Sequence, residues 1–287
     1  MKEDGYNNSN YWLGLHRTLR GSLRSVGWPS LSEEFNLLKY KSEASSFEKS
    51  LKTISQLQVG KQVSLLEIGA GVGFFTNLTK RYAFENSVRI DYSVLDISPE
   101  ALELIHDNFP DVCCIESDLT SFDEDSADRK YDMVTAIMVL LHLTDFEEYM
   151  DALKFCAASV DEGGHLIIYE PLLFREYAPS ISYEFSQFKG SSVPRLKFSI
   201  DNILNNLGFD QVVMIPGASW LLNSPIQSGS RSEFLLKKSI WKLISVIFYR
   251  SDNLTRLLGP LLYSIDAFLK RRQPDSGTFV VYQKRDV

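Results

Sequence analysis

The chain has 287 residues, enough for one large domain with a sizeable core, and 44% of them are hydrophobic, as in ordinary globular proteins. A formal net charge of −7 argues against nucleic acid as a partner, which would call for a basic surplus. Cys113, Cys114 and Cys156 form neither a metal spacing nor a disulfide framework, so a reducing cytoplasm is expected. The polar opening to Asn10 lacks a signal-peptide core, and no stretch reaches the roughly 18 apolar residues that span a bilayer.

Residues 11–57 precede the first strand and carry helical patterns broken at Gly21, Gly27 and Pro29. Ser32-Glu33-Glu34-Phe35 has the form of a helix start. Aromatic residues are dense here, and the segment reads as a helical layer, as a lid, or as both. Val63 to Ile68 is an expected buried strand, followed by a glycine turn and a helix over residues 74–84. A second strand runs from Val88 to Ile97 and a helix from Pro99 to Phe109, with Pro99 in its first turn. Val112 to Ile115 is a third strand. Tyr131 to Leu141 is a continuous apolar fourth strand, of the kind covered on both faces. A helix over 145–160 leads to a fifth strand, His165 to Tyr169, which ends at Glu170-Pro171. Residues 198–207 read as a helix, 211–215 as a sixth strand and 278–282 as a seventh.

Strands alternating with helices specify a doubly wound α/β sheet, whose ligands bind at the carboxyl ends of its strands. Glu67, the glycine turn, Asp96, Asp118, His142 and Glu170 all fall at such ends. The turn itself is Glu67-Ile68-Gly69-Ala70-Gly71-Val72-Gly73, and it opens a helix whose free N–H groups can meet an anion. A dinucleotide fingerprint would need glycine at 74, where this chain has Phe74. The spacing E-x-G-x-G-x-G instead resembles the class I methyltransferases that use S-adenosylmethionine (SAM), over about residues 60–217 and 277–284.

That resemblance implies a Rossmann-like sheet of seven strands, the last antiparallel, with an N-terminal helical lid segment (1–58) before a SAM-binding domain (59–287). The methionine carboxylate would sit over Gly69, Ala70, Gly71 and Gly73, and its ammonium near Glu67 and the Gly69 carbonyl. Asp96 would hold both ribose hydroxyls. The resemblance gives the adenine amino group to Asp118, the ring to Ile97 and Leu119, and the methionine end to Ile137 and Met138. His142 is a candidate general base and Glu170 a second, as base or substrate anchor. His16 enters only if the N-terminal segment folds over the site. No acidic metal cluster is present, so no metal is expected.

In the family a short hairpin links the last two strands, whereas this chain carries a helical insertion over about 218–276. Residues 231–272 hold nine basic residues against three acidic ones. Two amphipathic helices, 233–249 and 253–272, suit a lid, a homodimer face or a peripheral membrane contact. The expected function is methyl transfer from SAM, leaving S-adenosylhomocysteine (SAH), to a hydroxyl of a small secondary-metabolite or sugar-type acceptor. Alternatives are a lipid acceptor and a catalytically silent SAM-binding regulator. The stretch 172–196, rich in aromatic residues from Phe174 to Phe188, is expected to line the acceptor pocket.

Overall fold

The computed structural model describes residues 7–55, 57, 60–122, 124–174, 192–271 and 275–286. Most of the aromatic stretch expected at the acceptor pocket therefore lies outside the described residues. Two helices open the chain, α1 (Asn8–Thr18) and α2 (Glu33–Leu51). The alternating part follows as β1 (Gln62–Ile68), α3 (Phe74–Glu85), β2 (Arg89–Asp96), α4 (Pro99–Asn108), β3 (Cys113–Glu116), β4 (Tyr131–Ile137), α5 (Phe146–Ala158) and β5 (Val160–Leu173). Then come β6 (Arg195–Leu196), α6 (Lys197–Asn206), β7 (Phe209–Pro216), α7 (Trp220–Asn223), α8 (Arg231–Ile247), α9 (Asp252–Leu269) and β8 (Gly277–Lys284).

The strands pair in the order β3-β2-β1-β4-β5-β8-β7, with the two-residue β6 beside the end of β5. The pairs from β3 to β5 are parallel, and β8 runs antiparallel between β5 and β7. This is the Rossmann-like sheet with an antiparallel last strand that the sequence implied. Local signals set its helix starts. Ser32, Ser98 and Asp145 each accept a backbone N–H at the first turn of α2, α4 and α5.

Period-two alternation sends successive strand residues to opposite faces. One face packs Leu65, Tyr169 and Val281 against α2, α3 and α4, through Phe47, Phe75 and Ile105. The other packs Leu66, Ile168 and Tyr282 against α5 and α6, through Tyr149, Leu153 and Leu204. Both sides of the central strands are therefore dry.

Two strand ends differ from the expectation. β4 stops at Ile137, not at Leu141, because Met138 turns to φ 54°, a left-handed conformation no strand continues through. β5 does not end at Tyr169 but continues to Leu173, because β8 pairs with it as far as Pro171 opposite Gly277. Glu170 thus sits within a paired strand rather than beyond it.

The insertion packs on α2. Leu221, Leu222, Tyr249 and Leu262 form a small core with Leu31, Phe35 and Leu38. A buried polar joint locks α9 to α2 beside it. Asp266 accepts hydrogen bonds from the Ser42 hydroxyl and from the Ser219 amide and hydroxyl, the last two at 2.8 and 2.7 Å. One turn on, the Lys270 ammonium lies 2.9–3.2 Å from the carbonyls of Ser42 and Gly217 and the hydroxyls of Ser42, Ser45 and Ser46. Among the described residues, no helix is long and apolar enough to cross a membrane.

Lys270→Ala leaves those acceptors and Asp266 without their cation in a buried place. The expected loss is about 3 kcal/mol, read as a lower urea midpoint. An unchanged midpoint would show that the joint contributes nothing to holding the insertion.

Candidate active site

The strand order reverses between β1 and β4, and a doubly wound sheet opens a crevice at such a point. A cleft of about 900 Å³, its open mouth included, lies there. Its floor is the β1–α3 turn. Gly69, Gly71 and Gly73 all adopt positive φ, at 71°, 54° and 76°. A Cβ at Gly71 would stand 2.5 Å from Val26 Cγ1, and one at Gly69 would stand 2.7 Å from Val139 Cγ2. Only glycine fits both the conformation and the space. Gly73 caps α3 without a side-chain acceptor, so the first amides of that helix face the turn with their dipole unscreened.

Asp96, at the carboxyl end of β2, is buried beside this turn. One carboxylate oxygen accepts the Gly71 N–H at 2.9 Å and the other the Ser98 N–H at 3.0 Å. Burial pushes its carboxyl above the usual range, and these two donors oppose the shift. Ile97, Leu119 and Asp118 line the adjoining wall. Asp118 accepts from the Thr120 amide and hydroxyl with one oxygen, and from the Ser9 hydroxyl of α1 with the other at 2.9 Å. Ile137, Met138 and His142 close the β4 side, where Met138 holds its left-handed φ. Strained backbone of this kind gathers at functional sites.

The N-terminal segment supplies the roof. Asn8, Trp12 and His16 recur at four-residue spacing, which places them on one face of α1, and all three line the cleft. The Trp12 indole meets the His142 ring edge-on, with centroids 4.6 Å apart. Arg17 and Arg20 pair with Glu100 and Glu103 of α4, pinning the far end of α1. His16 is buried with both ring nitrogens lacking a hydrogen-bond partner among the described residues. Burial lowers its pKa, and the nearby Asp96 and Glu100 charges work in the opposite direction.

From α2, Tyr40 and Glu43 reach the cleft as well. The Glu43 carboxylate takes the Tyr169 hydroxyl at 2.6 Å and the Lys39 ammonium at 2.7 Å, all within the interior. The strand-end rule used on the sequence cannot reveal these helical residues. The N-terminal segment does fold over the cleft, the condition on which His16 enters it, and the spacing of Asn8, Trp12 and His16 identifies the face of α1 that does so.

Glu67 and Glu170 are not in the cleft wall. Glu67 lies behind the glycine turn, where Thr76 and Tyr92 donate to its Oε2 at 2.6 and 2.8 Å. Glu170 points to the opposite side of the sheet, into a buried group with Tyr149 and the Arg195 guanidinium. There the guanidinium stacks over the Tyr149 ring at 4.4 Å and donates to the Leu143 carbonyl at 2.6 Å. Burial raises the Glu170 carboxyl to about 8, with Arg195 acting against the shift. The geometry joins Gly69, Ala70, Gly71, Asp96, Ile97, Asp118, Leu119, Ile137 and His142 in one cleft and leaves those two acids and Gly73 outside its lining.

A family model described as a methyltransferase domain matches residues 34–213. The chain belongs to the class I methyltransferase family. The match starts inside α2 and ends in β7, so α1 and the 218–276 insertion lie beyond it. Among solved structures, the N-methyltransferase NodS from Bradyrhizobium japonicum WM9, in complex with SAH, is similar with a TM-score of 0.50 at 13% identity. That likeness covers 96% of this methyltransferase-family chain and 98% of the other. A candidate sarcosine dimethylglycine methyltransferase from Galdieria sulphuraria gives a TM-score of 0.51 at 15% identity, covering 85% of each chain. At such identities the likeness is one of fold. No curated protein matches the chain.

Burial raises the Glu67 carboxyl from 4.5 to about 7, against the Thr76 and Tyr92 hydrogen bonds, which favour the ionised form. The unfolded chain therefore releases this proton at lower pH than the folded chain. The stability tied to neutral Glu67 is fully present below pH 4.5 and is lost as pH rises through about 7. Glu67→Gln keeps an acceptor for both hydroxyls and should remove that loss. Between pH 4 and pH 8 the variant should gain up to about 3 kcal/mol on the natural chain in urea unfolding. Equal losses in both proteins would contradict the burial argument.

Proposed function

We propose that the cleft binds SAM and that the chain transfers its methyl group to a hydroxyl of a small secondary-metabolite or sugar-type acceptor. One observation carries the reading most. A glycine turn open to an anion stands beside a buried carboxylate at the next strand end, inside a cleft roofed by aromatic residues. The residues fit the parts of the cofactor. The amides around Gly69, Ala70, Gly71 and Gly73 suit its carboxylate. Asp96 keeps lone pairs on both oxygens for two ribose hydroxyls after accepting the Gly71 and Ser98 amides. Asp118 and the Leu119 amide suit the adenine edge, with Ile97 and Leu119 against its faces, and Ile137 and Met138 suit the methionine end. Glu67 acts through the turn it braces. A carboxylate behind the loop, held by two hydroxyls, fixes β1 to α3.

When bound, SAM supplies a methyl group already activated by its sulfonium. The protein then has three tasks: to align the acceptor, to exclude water and to take a proton. In this reading the first 58 residues serve as a lid through α1, with Trp12 over His142. The His142 imidazole would take the proton of the acceptor hydroxyl as the methyl carbon passes from sulfur to that oxygen, leaving SAH. Glu170 stands with Tyr149 and Arg195, whose guanidinium holds the Leu143 carbonyl beside the cleft, and not as the base.

Asp96→Ala should raise the dissociation constant for SAH by about a hundredfold, since two charge-assisted hydrogen bonds are lost. Titration calorimetry with SAH, and with NAD as a control, tests this. Tight NAD binding, or unchanged SAH affinity in Asp96→Ala, would overturn the cofactor assignment.

His142→Ala should leave SAH affinity within a few-fold while lowering turnover of an accepted hydroxyl substrate by roughly a hundredfold. SAH release with a panel of hydroxylated acceptors gives the rate. SAH binding without turnover of any acceptor would favour a regulatory SAM-binding protein.

A further inference from the structure

A surface helix of a folded domain turns its apolar stripe to the core. α8 and α9 each carry apolar residues on two sides. On the inner side, α8 buries Phe234 and sets Trp241 against Trp28 with ring centroids 5.0 Å apart, while α9 buries Leu262. On the outer side, Leu236, Ile240 and Leu243 of α8 are exposed at helical spacing. Leu257, Leu261 and Ile265 of α9 repeat the arrangement, with Leu257 76% exposed. Of the eighteen large hydrophobic side chains that are exposed among the described residues, eleven lie on these two helices. Single exposed leucines are ordinary, whereas a concentration of this kind marks a contact surface.

Charge identifies what it contacts. Asp266 is buried against Ser42 and Ser219, Glu233 pairs with Lys237, and Asp252 accepts the Glu34 amide. The acids of the two helices are thus engaged. Lys237 and Lys270 also turn inward, and Arg256 pairs with Glu34. Arg231, Lys242, Arg250 and Arg271 remain exposed, with no ion pair among the described residues. An acidic protein has here placed its aliphatic side chains among unpaired cations. A second copy docking through the same face would bring like charges together across the contact. A bilayer with anionic headgroups offers hydrocarbon and negative charge at once.

We propose that α8 and α9 seat the protein on an anionic lipid bilayer. The outer leucines and isoleucines enter the boundary between headgroups and acyl chains, and Arg231, Lys242, Arg250 and Arg271 meet lipid phosphates. Neither helix crosses the bilayer. The inference rests on this surface and not on the methyl-transfer reading, so SAH binding can fail while bilayer binding holds, and the reverse.

The test is sedimentation of the full chain with vesicles of phosphatidylcholine alone and of phosphatidylcholine with phosphatidylserine. The protein should pellet with the mixed vesicles at low salt, and at least tenfold less with the neutral ones. Raising the salt should release most of it, because headgroup attraction is screened within a Debye length. Lys242→Glu with Arg250→Glu should lower the partition coefficient at least tenfold. Leu257→Glu with Leu261→Glu should abolish pelleting. These side chains are exposed, so circular dichroism and SAH affinity should stay as in the natural chain. Equal partition into both vesicle types, or none into either at low salt, would overturn the proposal. So would light scattering that shows a dimer lost in the Leu257→Glu, Leu261→Glu variant.

Discussion

A buried hydrogen bond from the Gly71 amide to the Asp96 carboxylate, 2.9 Å long, ties the end of β1 to the end of β2. Its donor sits in a turn of three left-handed glycines, a conformation with little intrinsic preference. Its acceptor is a carboxylate withdrawn from water, which is costly unless amides replace the lost solvent. Each partner answers the other's problem. The turn gains an anchor, and the carboxylate gains donors from Gly71 and Ser98 while keeping lone pairs toward the cleft. Glu67 braces the same turn from behind through Thr76 and Tyr92. The cleft floor is thus held on both sides before any ligand arrives.

Much of this was readable in the sequence because it is local. The glycine turn, the strand that feeds it and the helix after it are contiguous, and the expected helix over 74–84 matches α3 to within a residue. The order of strands and helices follows from periodicity, and periodicity survives tertiary packing. Strand ends do not, because partner strands set them. Tyr169-Glu170-Pro171 reads as the end of a strand, since Pro171 lacks an amide and punctuates sequences. β8 nevertheless pairs with it as far as Pro171, so Glu170 lies within the paired strand and faces Tyr149 and Arg195 instead of the cleft. Met138 gave no warning either. A non-glycine residue at φ 54° is imposed by its surroundings, and its amide is held by the Tyr169 carbonyl at 2.8 Å.

The roof was the least legible part. Trp12 and His16 lie far from His142 and Asp96 in sequence, and no motif announces a contact between them. The face of their helix that carries them meets a cleft and not a core. Tyr40 and Glu43 were hidden for another reason. α2 reads as a core helix, and it is one, packing Phe47 on Phe75 and Phe279 at 5.2 and 5.8 Å. One helix serves the core with some positions and the cleft with others, and residue type alone does not separate them.

α2 also meets the insertion. Tyr40 and Glu43 face the cleft, while Ser42, Ser45 and Ser46, interleaved with them, hold Asp266 and Lys270 of α9. Small hydroxyl side chains let α9 approach closely, and their oxygens satisfy a buried ammonium that an aliphatic face would strand. A buried polar joint of this kind adds little net stability over an apolar one, but it fixes register, because each donor must find its acceptor. A one-turn slip of α9 would carry Asp266 away from Ser219 and Lys270 away from Gly217. The outer face of α9 is therefore held in fixed orientation to the cleft by a single rigid helix.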